Sequence, residues 1–191
     1  MPVRTRDGGL LLLDACCLIN LFASGRNEAV LGLLPYRFAT SELVADREVL
    51  SIRGAPRTSG EPERVALTPR DFERAGDLEI LPVTSEREQA QFVRFATELD
   101  DGEASVCALA VVHGGGVATD DRKALRILGR VGAEVPALWT IQTPELLFEW
   151  ARRSGAAAPE IRDALRAIAD RGSFYPRAGV PRYDWWVRSL R

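Results

Sequence analysis

Leucine fills residues 10–13 without a polar interruption, and the run closes on Asp14. A short continuous apolar run that ends on a helix-capping residue predicts a strand buried on both faces. The period then lengthens: residues 15–22 and 28–34 read as helices, 36–39 as a second strand and 42–52 as a further helix. Proline and glycine cluster over 54–62, which predicts an exposed loop. A short helix over 69–75 and a third strand over 78–83 come next. Ser85 with Glu88 makes a capping box, and Phe92, Phe95, Ala96 and Leu99 follow it at helical spacing. Gly102 separates that helix from another over 103–112. A fourth strand over 117–119, a helix over 123–128 and a fifth strand over 137–140 follow. Thr143 and Pro144 suit the N-cap and first position of a helix over 145–152, and 159–169 forms a last helix before an aromatic tail. This alternation predicts a three-layer α/β/α fold around a mostly parallel sheet of about five strands.

Composition narrows the chemistry more than it names it. A length of 191 residues with 46% hydrophobic content suits one core, and a formal charge of -2 gives no basic footprint for nucleic acid. Lys123 is the one lysine, so positive charge is carried by arginine, a bias that codon composition also produces. Cys16, Cys17 and Cys107 contain no CxxC pair; they read as small buried thiols in a reducing, cytoplasmic setting rather than as a zinc site. The run at 10–13 is too short for a secretory signal, and no segment reaches the ~20 apolar residues of a membrane span. His113 is the single histidine and precedes three glycines, where it suits a helix C-terminus. Chemistry built on Ser/His/Asp or Cys/His is therefore unsupported, and Asp and Glu remain.

Those acids fall at strand-to-helix junctions: Asp14 after the first strand, Glu103 opening a helix, Asp120 and Asp121 after the fourth strand. In open α/β sheets the functional crevice lies outside the carboxyl ends of the strands, so acids distant in sequence converge there. Taken singly, each has a plainer role as an N-cap or a first-turn acid. Clustered carboxylates repel one another unless a divalent cation restores the balance, and an all-oxygen donor set suits Mg²⁺ or Mn²⁺.

Three stretches, LLLDACCLINL, LDDGEASVCALA and VATDDRKAL, resemble the PIN domain, in particular the VapC-like metal-dependent ribonucleases, over roughly the first 140 residues. The resemblance implies acids at the carboxyl edge of a parallel sheet holding Mg²⁺ or Mn²⁺, and hydrolysis of phosphodiester bonds, usually in RNA. By motif, Asp14 is the first acid, Glu103 the acid of the GEA form, and Thr119 with Asp121 the last Thr-x-Asp. Asp120 is then the variable position, an auxiliary ligand at most. Thr119 would position a water or the phosphate.

The remaining acid belongs on the segment after the second strand. Glu48 has Val44 four residues before it and Ile52 four after, placing it in an apolar stripe; a count from Thr40 in the family's manner favours Asp46 instead. The two lie on opposite sides of a helix, so only one can enter the site. Ala15 stands where the family often has a hydroxyl or amide, and Asn20 is expected to make a local backbone hydrogen bond.

The reading divides the chain into a PIN-like catalytic region, 1–155, and a C-terminal helix with an aromatic, arginine-rich tail, 156–191, packed on the same domain. The expected function is a Mg²⁺- or Mn²⁺-dependent endoribonuclease with Asp14, Glu48, Glu103, Asp121 and Thr119 in its site. Asp14, Glu103, Asp121 and, secondarily, Asp120 are the metal ligands. RNA is the expected substrate. An antitoxin-like inhibitor and a homodimer are further partners consistent with this reading, and a membrane is not. The alternative is a PIN-fold module that binds RNA or protein with little cleavage. In the tail, Trp185 and Trp186 are read as anchors onto the domain in preference to base-stacking surfaces, where Arg171, Arg177, Arg182 and Arg188 would contact phosphates.

Overall fold

The computed structural model describes residues 8–49, 51–54 and 63–191. In chain order the elements are β1 (Leu10–Leu13), α1 (Ala15–Ser24), α2 (Asn27–Leu33), β2 (Arg37–Ser41), β3 (Ser51–Arg53), β4 (Arg64–Ala66) and α3 (Pro69–Ala75). They continue as β5 (Glu79–Leu81), α4 (Glu86–Ala96), α5 (Asp101–His113), β6 (Gly116–Ala118), α6 (Arg122–Gly132), β7 (Trp139–Ile141), α7 (Thr143–Ser154), α8 (Ala158–Ala167) and α9 (Tyr183–Ser189). Five strands form one all-parallel sheet in the order β5-β2-β1-β6-β7, flanked by helices. The α/β architecture expected from the alternating pattern is the one observed.

The leucine run explains why β1 is central. Leu11, Leu12 and Leu13 are fully buried, as a strand covered on both faces requires. Behind it α5 lies against β1, β2 and β6. Residues 104–110 are buried without interruption, and Ala104, Ser105, Cys107, Ala108 and Ala110 among them are small, which lets the helix seat closely on the sheet. Strand order reverses between β1 and β6, so the crevice favoured for ligands opens beyond Leu13 and Ala118. Among the described residues, no helix is long and apolar enough to cross a membrane.

Two elements depart from the sequence reading. The helix expected over 42–52 is two helical residues followed by a π-turn, Val44–Glu48, after which Ser51–Arg53 runs as β3. Antiparallel pairing of β3 with β4 supplies ladder partners that outweigh the helical spacing of Val44, Glu48 and Ile52. β4 follows the loop expected over 54–62, of which residues 55–62 lie outside the described residues. The other boundaries shift by a few residues. Thr143 is the first residue of α7 and Gln142 its N-cap, because the Thr143 hydroxyl is drawn into a bond with Asp120.

His113 closes α5, as expected for a histidine before a glycine C-cap, and Gly114 takes the left-handed conformation (φ 70°) that ends the helix. Its Nε2 lies 2.9 Å from Glu88 Oε1. Glu88 also accepts the Thr84 and Ser85 amides, and these backbone bonds with His113 hold its carboxyl down at about 2.

The tail is anchored on the domain. Trp186 is fully buried, edge-on to Phe174 at 5.9 Å, and Trp185 meets Phe148 edge-on at 5.4 Å.

Candidate metal centre

Asp14 ends β1 and caps α1. One carboxylate oxygen accepts the Ala15 amide at 2.7 Å and the other accepts the Thr119 hydroxyl at 2.8 Å. Thr119, just beyond β6, accepts in turn the Asp121 amide at 3.1 Å. Asp121 caps α6, accepting the Lys123 and Ala124 amides at 2.7 and 2.8 Å. Thr119 is buried and bonded on both sides, so it links the two acids.

Glu103 and Glu48 complete the group from two other elements. Glu103 stands in the first turn of α5, and Glu48 ends the π-turn. Burial pushes the Glu103 carboxyl up to about 7, and the charges of Asp14, Asp100, Asp121 and Glu48 add to the effect. Glu48 is likewise pushed up to about 7, by burial first, then by Asp100 and Asp14, while the Gly102 amide pulls the other way. Asp14 is raised by burial, against the hydrogen bonds of Thr119, Cys16 and Ala15. Four sequence-distant acids thus share one electrostatic environment.

Gly102 makes room for this arrangement. A Cβ there would overlap the Glu48 carboxylate, so the side chain can lie against the start of α5 only because residue 102 is glycine. Asp46, the competing acid, is exposed and taken up by Arg70, whose Nε and Nη2 donate to its two oxygens at 2.8 and 2.6 Å. That bond lowers the Asp46 carboxyl. The structure brings Glu48, not Asp46, to the other acids.

Asp120 does different work. Its carboxylate accepts the Thr143 hydroxyl at 2.5 Å, the Thr143 amide at 3.0 Å and Asn20 Nδ2 at 3.0 Å. Asn20 thus makes a long-range contact in place of the local backbone bond expected of it. Among the described residues, the one set of three or more ligand atoms from His, Cys, Asp or Glu within 4.8 Å of one another is Cys16, Cys17 and Asp120. Cys17 donates to Asp120, and burial raises its thiol well above the usual range. Cys16 donates to Asp14 at 3.2 Å. Two thiols that donate and an already bonded carboxylate describe a polar latch joining α1, the β6–α6 junction and α7.

Asp14, Glu103 and Asp121 stand further apart than that latch. Their donor set is still the one a hard cation wants, since Mg²⁺ retains several waters and needs only one or two carboxylates. Sequence reading passed over Asp100, the N-cap of α5, whose charge acts on Asp14, Glu48 and Glu103. The Asp100-Asp101 pair three residues before Glu103 was the available signal. Comparison with protein families, with curated proteins and with solved structures finds no match.

The raised acids have a measurable consequence for stability. Between pH about 4.5 and 7 the folded chain retains protons on Glu48 and Glu103 that the unfolded chain has released. Stability in EDTA therefore falls as pH rises through that window, by roughly 1–2 kcal/mol for the pair after discounting for their half-exposure. Urea midpoints at pH 5 and 7.5 measure it. The Glu48→Gln/Glu103→Gln double variant should flatten the dependence; an undiminished slope in that variant would assign it elsewhere.

Proposed function

We propose that this chain is a Mg²⁺- or Mn²⁺-dependent nuclease that hydrolyses phosphodiester bonds, with RNA as its substrate. The observation that carries this reading is the gathering of Asp14, Glu48, Glu103 and Asp121 at the carboxyl edge of the sheet, where burial first and neighbouring carboxylates second raise Glu48 and Glu103 to about 7. Structural carboxylates are normally paired with cations. Among the described residues no ion pair forms at these four, and Asp14, Glu48 and Glu103 have Asp100 as a further acid neighbour; an excess of negative charge in a crevice is what a divalent cation relieves.

Asp14 and Asp121 suit the role of fixed ligands, because backbone amides and Thr119 already hold them. Glu103 and Glu48 have longer side chains and reach the same space from α5 and the π-turn. A cation bound there would activate water and offset charge on the phosphate and leaving oxygen. The protein's share is to hold the ligands and shape the crevice. The motif resemblance supports RNA over DNA and extends the proposal to a toxin restrained by a protein inhibitor.

The test is incubation of an end-labelled mixed RNA pool with the chain in Mn²⁺, Mg²⁺ or EDTA. Discrete cuts that need the metal are expected. Binding of RNA without cleavage in any metal would favour the regulatory module, a reading that Ala15, with no polar group beside Asp14, keeps open.

A further inference from the structure

A groove of about 860 Å³ leads away from the acids. It is lined by Glu103 and Asp121, by Arg122 at the start of α6, and by the 173–181 segment with Tyr175 and Arg177. The chain there is a strap fixed at both ends. Ser173 (φ 58°) and Arg182 (φ 63°) hold left-handed conformations that non-glycine residues rarely adopt. Phe174 is locked against Trp186, and the Arg182 guanidinium lies 4.0 Å from the centre of the Phe148 ring. Between these anchors the Tyr175 side of the strap faces open space.

The tail's aromatic rings have therefore divided their tasks. Trp186 is buried and Trp185 is half-buried edge-on to Phe148. Tyr175 remains 51% exposed. Arg122 and Arg177 are exposed too, and neither forms an ion pair with any described residue. An exposed ring, two uncommitted guanidinium groups and a pair of acids lining one groove match a single strand: bases stack on aromatic faces while cations track the backbone. A duplex cannot use the ring, because its bases are already stacked on one another.

We propose that Tyr175 is the platform on which an unpaired base beside the scissile phosphate stacks, with Arg177 and Arg122 on neighbouring phosphates, so that the groove selects single-stranded RNA. The proposal rests on the nuclease reading for its orientation toward the acids. The rigid strap adds to affinity because little order has to be created on binding.

The test is fluorescence anisotropy of the full chain with a labelled mixed-sequence RNA of about 12 nucleotides, a length that covers a typical single-strand site. Ca²⁺ is supplied as the hard cation, and strand integrity is checked on a gel. Tyr175→Ala should weaken single-strand binding about tenfold, and Tyr175→Phe, which keeps the ring, by less than about twofold. Arg177→Ala should lower the salt dependence by about one phosphate contact. The matching duplex should bind more weakly and be indifferent to Tyr175→Ala. Unchanged binding by Tyr175→Ala, equal loss for strand and duplex, or no strand binding by the native chain would each overturn the proposal. Binding needs no turnover, so a groove that binds as described in a chain that never cleaves would refute the nuclease reading alone.

Discussion

Asp14→Asn is expected to lower metal-dependent RNA cleavage by at least about a hundredfold, since outer partners of metal ligands already cost 10–100-fold. The substitution separates two roles of one side chain. Asn is as good an N-cap as Asp, so the bond from the Ala15 amide is retained and α1 keeps its start. What disappears is the charge, which is the property the cation requires. Removing it also relieves a buried carboxylate whose affinity for protons is raised by burial, so thermal stability without metal should hold or rise. Asp121→Asn should lose cleavage in the same way. Initial rates on a labelled RNA together with thermal melts of both variants measure this. Cleavage within a few-fold of the native rate, in a chain that melts normally, would remove Asp14 from the site.

The largest stability effect is expected at Trp186→Ala. The side chain is fully buried among tail and domain residues, and truncation of a buried Trp costs about 3–5 kcal/mol through lost burial and the cavity left behind. For a chain of this size that lowers Tm by on the order of 10 °C. Trp185→Ala is the internal comparison. Its ring is half-buried and meets one aromatic neighbour, Phe148, so a smaller loss follows. Differential scanning calorimetry of both variants measures the difference. Equal and small shifts would mean that α9 contributes nothing to the core. Because Phe174 leans on Trp186, the same substitution also frees one anchor of the strap, and RNA binding should weaken with it.

Much of the architecture was legible because local and global preferences agree. The leucine run, the capping box at Ser85 and Glu88, and the glycine after His113 each use short-range rules that the fold obeys. The segment after β2 was legible in part only. Its helical spacing is real, but β3 gains a partner strand more than ten residues away, and no local signal reports a ladder. Glu48 nevertheless ends beside the other acids. The apolar neighbours that marked it in the sequence also turn it inward, although through a π-turn and not an α-helix.

By itself the sequence determined which groups are present and where along the chain they stand: acids after apolar strands, one histidine, no paired cysteine motif, a tail of rings and arginines. Those facts follow from covalent order and local propensity. Tertiary structure alone decided which acids share charge, since Asp46 is paired with Arg70 and Asp120 is hydrogen-bonded by Thr143 and Asn20, whereas Glu48 is accommodated by the missing Cβ of Gly102. It also decided that Trp186 is consumed by the core while Tyr175 faces the groove. A carboxylate's partners and a ring's exposure are set by neighbours that packing brings from far along the chain, and no reading of spacing contains them.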